Sequence, residues 1–100
     1  MLVPAHARMA RAALKWSLQD LQKRTGLSKT TLVRFEAGLG VYQSTAIKLE
    51  ETFGRAGIIF IHSDDVRGPG VLLSIDLARR VGGVTGRATS KSGKRSQKTK

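Results

Sequence analysis

Residues 17–38, SLQDLQKRTGLSKTTLVRFEAG, constrain this chain more than any other stretch. They read as two short helices joined by a tight turn. Ser17 and Ser28 each suit a helix N-cap, where the side-chain oxygen accepts from an otherwise unpaired backbone N–H. Gly26 stands at the end of the first helix, where a left-handed residue is wanted. Leu21, Leu27, Leu32 and Phe35 form the apolar set that would hold the pair together. The second helix turns Lys29, Thr30 and Arg34 to solvent, and all three side chains can donate hydrogen bonds.

The flanking sequence extends the helical pattern. A first helix is expected from about Pro4 or Ala5 to Lys15, since proline suits the first helical position. Met9, Ala13 and Trp16 share a face there, with Ala10 and Leu14 beside them, and Arg8, Arg11 and Lys15 make a separate basic stripe. Helix 2 is expected over about Leu18–Thr25 and helix 3 over about Lys29–Ala37. A fourth helix begins near Ser44 or Thr45 and ends near Ala56, with Gly57 as its stop. Ala46, Leu49, Phe53 and Ala56 repeat at helical spacing along it. After Gly57 the pattern changes to strands: IIFI at 58–61 and VLLSI at 71–75, separated by the turn-rich HSDDVRGPG. Two strands alone are marginal in water, so this hairpin needs the helices or a second chain to cover it.

Charge divides the chain. The formal net charge is +11. Residues 1–78 carry a net of +3, and residues 79–100 carry +8 with no acid at all. That last segment, VGGVTGRATSKSGKRSQKTK with the two arginines before it, has almost no large apolar side chains. It is expected to be a disordered basic tail, and such a tail suits a polyanion.

Other chemistries find little support. There are no cysteines, which removes disulfides, thiolate metal sites and thiol nucleophiles. His6 and His62 have no partner ligands at metal spacing, and both read as solvated histidines. Glu50–Glu51 and Asp64–Asp65 are sequence neighbours, which do not converge as a carboxylate pair must. Gly68-Pro69-Gly70 is a turn, because no Gly-Lys-Ser/Thr follows it. No enzyme, metal or cofactor is expected. No eighteen-residue apolar run is present to span a membrane, and the first residues lack a signal peptide's apolar core. A cytoplasmic location is expected.

Two capped helices around a glycine turn form the layout of a helix-turn-helix, whose second helix enters the DNA major groove. The same layout occurs in helical proteins that never touch DNA. A resemblance tips the balance. The segment RAALKWSLQDLQKRTGLSKTTLVRFEAG, from Arg11 to Gly38, resembles the Cro/phage-repressor (XRE-type) family in its RAALKWS lead-in, TGLS turn and FEAG ending. Helix 4 followed by GIIFI resembles a short bacterial subfamily with a C-terminal strand pair.

The resemblance implies a mainly α fold: a four-helix domain over 1–57, a short β-hairpin over 58–78 and the basic tail over 79–100. It places Lys29, Thr30 and Arg34 where the family reads base edges, and Ser17 at a backbone phosphate. It also pairs Glu36 with Arg11. Thr31, Arg8, Lys15 and Lys23 are further phosphate candidates. Leu18 stands where the family usually has a glutamine, and Gln22 where it usually has alanine. The expected function is sequence-specific transcription regulation through double-stranded DNA, most simply repression. A homodimer is expected through Ile59, Ile61, Val71 and Leu73, because an uncovered strand edge pairs with another chain. Two rival readings share this fold: an antitoxin with a toxin partner, and a protein–protein adaptor that has lost base reading.

Overall fold

A computed structural model describes residues 1–40 and 43–82. Its elements are α1 (Pro4–Leu14), α2 (Leu18–Thr25), α3 (Lys29–Glu36), α4 (Gln43–Arg55), β1 (Ile58–Ile61), β2 (Gly70–Leu73) and α5 (Ile75–Val81). The protein is thus mainly helical, with one two-stranded antiparallel hairpin after the helix-turn-helix segment.

Each helix boundary has a local cause. Pro4 opens α1, and Lys15 closes it in a left-handed conformation at φ 58°. Ser17 caps α2 in a reciprocal box: its Oγ accepts from the Asp20 N–H at 3.0 Å, and Asp20 Oδ2 accepts from the Ser17 N–H at 2.9 Å. Gly26, at φ 76°, ends α2 and bonds back to the Gln22 carbonyl. The turn is braced by buried Thr25, whose hydroxyl donates to the Leu21 carbonyl and accepts from the Leu27 N–H. Ser28 then caps α3 through the Thr31 N–H at 3.1 Å.

One core runs through the whole described chain. Ala7 and Ala10 of α1, Leu21 of α2, Leu32 and Phe35 of α3, and Ala46, Leu49 and Phe53 of α4 are buried together. Leu2, Ile58 and Leu77 belong to the same cluster. The apolar stripe of α4 is therefore inward, although Ala56 at its end is only half-buried. On α1 the inward face is centred on His6, Ala7 and Ala10, with Met9 and Ala13 at its margin. Trp16 packs on this core, its ring stacked on Phe53 at 5.8 Å and met by the Arg24 guanidinium at 4.1 Å.

The hairpin pairs Ile58 with Leu73, Ile59 with Leu72, Phe60 with Val71 and Ile61 with Gly70. Strand alternation sends Ile58, Phe60, Val71 and Leu73 toward the core, while Ile59 and Leu72 face out at 49 % and 54 % exposure. Val71 and Leu73 are thus inward residues, and Leu72 takes the outward position. The second strand stops at Leu73, because Ser74 caps a fifth helix by accepting from the Leu77 N–H at 3.2 Å.

Two expectations are corrected here. Residues 79–81 are not tail: Arg79, Arg80 and Val81 complete α5, which buries Leu77 and Ala78 against the core and ends at Gly82. The rest of the expected tail, from residue 83, lies outside the described residues. His6 is not solvated. Its side chain is 1 % exposed, its Nδ1 accepts from the Val3 N–H at 3.2 Å, and its Nε2 lies 2.8 Å from the Ile61 carbonyl. Accepting at Nδ1 puts the proton on Nε2, which then donates to Ile61. Both ring nitrogens are satisfied, so burial costs the neutral ring little. His62 is exposed and meets the His6 ring edge-on at 5.3 Å.

Candidate nucleic-acid interface

Burial of Leu32 and Phe35 fixes the rotation of α3 about its own axis. With those two side chains in the core, Lys29, Thr30, Val33 and Arg34 must face solvent, and all four are exposed. Lys29 and Thr30 lie in the first turn. Val33 follows Thr30 by three residues and Lys29 by four, so it sits on the same face. Arg34 lies at the far end, its guanidinium running beside the turn that follows α3, where a Cβ added to Gly40 would come within 3.7 Å of Nη2.

A shallow groove borders this face. Its walls are Arg11, Ser17, Leu18, Gln19, Gln22 and Lys29. Ser17 is exposed, and its oxygen accepts from the Asp20 N–H in the α2 cap. Gln19 and Gln22 add amide donors to the same groove. Gln19 sits one residue beyond Leu18, so its amide is available on the wall where Leu18 offers none. Thr31 is half-buried, and its Oγ1 already accepts from the Ser28 hydroxyl at 2.9 Å. Arg8, Lys15 and Lys23 are all exposed. Asp20 is the acid nearest this groove in sequence. The Ser17 backbone N–H and then its hydroxyl hold the Asp20 carboxyl below the usual aspartate range.

An ion pair ties α1 to the end of α3. Arg11 Nε donates to Glu36 Oε2 at 2.8 Å and Arg11 Nη2 to Glu36 Oε1 at 3.0 Å. This is the two-pronged arginine–carboxylate geometry. Arg11 Nη1 also donates to the Trp16 carbonyl at 3.1 Å, and Arg8 Nη1 donates to the Glu36 carbonyl. The Glu36 hydrogen bond raises the Arg11 pKa against the opposing effect of burial. With Glu36 engaged by Arg11, its carboxylate does not compete for the cations of the α3 face.

A family model described as Helix-turn-helix matches residues 8–57, which run from within α1 through α4 to the two residues after it. The chain belongs to the Cro/phage-repressor (XRE-type) helix-turn-helix family. A comparison with curated proteins returns no match. As an XRE-type domain the protein is a DNA-binding transcription regulator in the general sense, and the family is not one of enzymes. Among the described residues, no helix is long and apolar enough to cross a membrane.

Two residues on the XRE-type face escaped the sequence reading. Val33 carries no hydrogen-bonding group, so donor pattern alone does not mark it on helix 3. Its outward position follows from helical spacing once Leu32 and Phe35 face the core. Gln19 lines the groove beside Leu18, one position past the place where the family usually has its glutamine.

Proposed function

We propose that this protein is a sequence-specific transcriptional repressor that acts by occupying its operator as a homodimer. The observation that carries the reading is the outward face of α3, where Lys29, Thr30 and Arg34 are exposed beside a groove of hydrogen-bond donors. In the major groove, Lys29 and Arg34 seek the paired acceptors of guanine, and Thr30 contacts a base edge or a thymine methyl. Ser17, Arg8, Lys15 and Lys23 contact phosphates, which fix register without reading sequence. Arg79 and Arg80, exposed on α5, and the basic residues that follow them add salt-sensitive attraction.

The homodimer reading rests on the outer face of the hairpin. Ile59, Ile61 and Leu72 are exposed there, next to one another across the two strands. A two-fold axis places such a patch against its own copy. It would also present two α3 helices to successive major grooves about 34 Å apart.

Selection of bound duplexes from a random pool tests the proposal. An inverted repeat is the expected product. Lys29→Ala and Arg34→Ala should then weaken binding to the selected site far more than to random DNA, since each good base contact carries about 1–3 kcal/mol of discrimination. Equal losses on both would make these residues phosphate contacts and overturn the base-reading claim.

A further inference from the structure

We infer that Val33 is a specificity-determining residue that reads the C5-methyl group of a thymine in the major groove. The inference deepens the base-reading role proposed for α3 and rests on it. Val33 is 44 % exposed and stands among polar side chains on the outward face. Single exposed apolar residues are common on protein surfaces. This one occupies the centre of the helix surface offered to the bases, with Lys29 one turn before it and Arg34 directly after it.

The side chain suits the task. Valine is a weaker helix former than alanine or leucine, so the helix itself gives no reason for it at an exposed position. Its β-branching locks χ1 in a helix, which holds both methyl groups in one place before any partner arrives. Little rotamer freedom is lost when a ligand covers them. The methyl group of Thr30 lies three residues earlier on the same face, at neighbour distance. Together they make a small apolar spot between two cations. The major-groove edge offers one apolar group of matching size, the thymine methyl. The arrangement therefore assigns thymine, or another 5-methylpyrimidine, to the base pair beneath Val33, with the acceptor-bearing bases to either side left to Lys29 and Arg34.

The test uses the full chain and the site recovered by selection. Each thymine of that site is replaced in turn by deoxyuridine, which removes the methyl group and keeps the pairing. For the wild type, one thymine in each half-site should stand out, with deoxyuridine there weakening binding about three- to five-fold, the value of one buried methyl group. Val33→Ala should bind the unmodified site about that much more weakly and lose its sensitivity to deoxyuridine at that position only. The melting temperature of Val33→Ala should equal or slightly exceed that of the wild type, because the side chain is outside the core and alanine is the better helix former. A wild type indifferent to every deoxyuridine substitution would overturn the inference. So would a Val33→Ala variant that remains as sensitive as the wild type. In either case a selected site still discriminated by Lys29 and Arg34 leaves the broader reading standing. Recovery of no preferred sequence would overturn both.

Discussion

Removing Arg11 should cost this protein more than removing Glu36, and the two losses should not add. The pair is made of two charge-assisted hydrogen bonds at 2.8 and 3.0 Å. The Glu36 side chain is 10 % exposed and that of Arg11 26 %. Exposed pairs contribute about 0.2–1 kcal/mol, whereas breaking a fully buried one costs about 3–5 kcal/mol. This pair lies between, nearer the buried limit on the glutamate side. Arg11→Ala strands a nearly buried carboxylate that has no other side-chain donor among the described residues, and should cost about 3 kcal/mol. Glu36→Ala leaves a guanidinium that is more exposed and still donates to the Trp16 carbonyl, and should cost about 2 kcal/mol. The double variant strands neither charge, so the coupling should be about 1–2 kcal/mol. Arg11 has a raised pKa in the folded state, so its share of stability is present below the unfolded arginine value and is lost only as pH rises past the folded one. Urea unfolding of the four proteins at neutral pH reads the cycle through midpoint and slope. Additive losses within about 0.5 kcal/mol would refute the coupling. Reversal of the two single costs would refute the argument from burial.

Three further outcomes are expected. Gly57→Ala should destabilise by about 2–4 kcal/mol in thermal unfolding, because φ is 106° there and a Cβ would meet Leu77 Cβ and Ser74 Oγ at 2.8 Å; an unchanged melting point would mean that α5 does not pack on this turn. Asp20 has a depressed pKa, so its cap contribution is complete above the usual aspartate value and is lost as pH falls through the folded one. Thermal unfolding of wild type and Asp20→Asn should therefore differ at neutral pH and converge below about pH 4, and a gap that persists into strong acid would remove the carboxylate as its cause. Ile59→Asp and Leu72→Asp should yield monomers by light scattering, whereas dimers in both variants, or a monomeric wild type, would move the proposed interface away from the hairpin.

What was legible in the sequence was what depends on near neighbours. Ser17, Ser28 and Gly26 announced the two central helices because caps act within a few residues of the chain. The inward stripe of α4 was readable from spacing alone through Ala46, Leu49 and Phe53. Helix α5 also carried local signals: Ser74 as cap, Asp76 in the first turn and Gly82 at the end. They were masked because Ile75 continued an apolar run that read as strand, and because Arg79 and Arg80 looked like the start of the tail. The inward turn of Val71 and Leu73 depends on register, and a one-residue shift reverses every side chain of a strand. The setting of His6 is only partly local: Nδ1 meets the Val3 N–H, three residues away, but Nε2 needs the Ile61 carbonyl, 55 residues on.

That histidine bears on how the hairpin is joined to the rest. Ile58 and Leu77 sit in the same buried cluster as Leu21 and Phe35, so the strands and α5 do not form a core of their own. Phe60 lies edge-on to Phe53 at 6.2 Å and to His6 at 5.1 Å, which seats the hairpin against both α4 and α1. The His6–Ile61 hydrogen bond then pins the end of β1 to the first turn of α1. Arg11, a little over one turn further along that helix, holds the end of α3 through Glu36. Helix α1 thus carries both attachments, one to the proposed dimer surface and one to the proposed reading helix. In a homodimer formed through Ile59 and Leu72, the spacing of the two α3 helices would be set by packed core and two hydrogen-bonded anchors rather than by a flexible linker. A fixed spacing is what discrimination between correctly and incorrectly spaced half-sites requires.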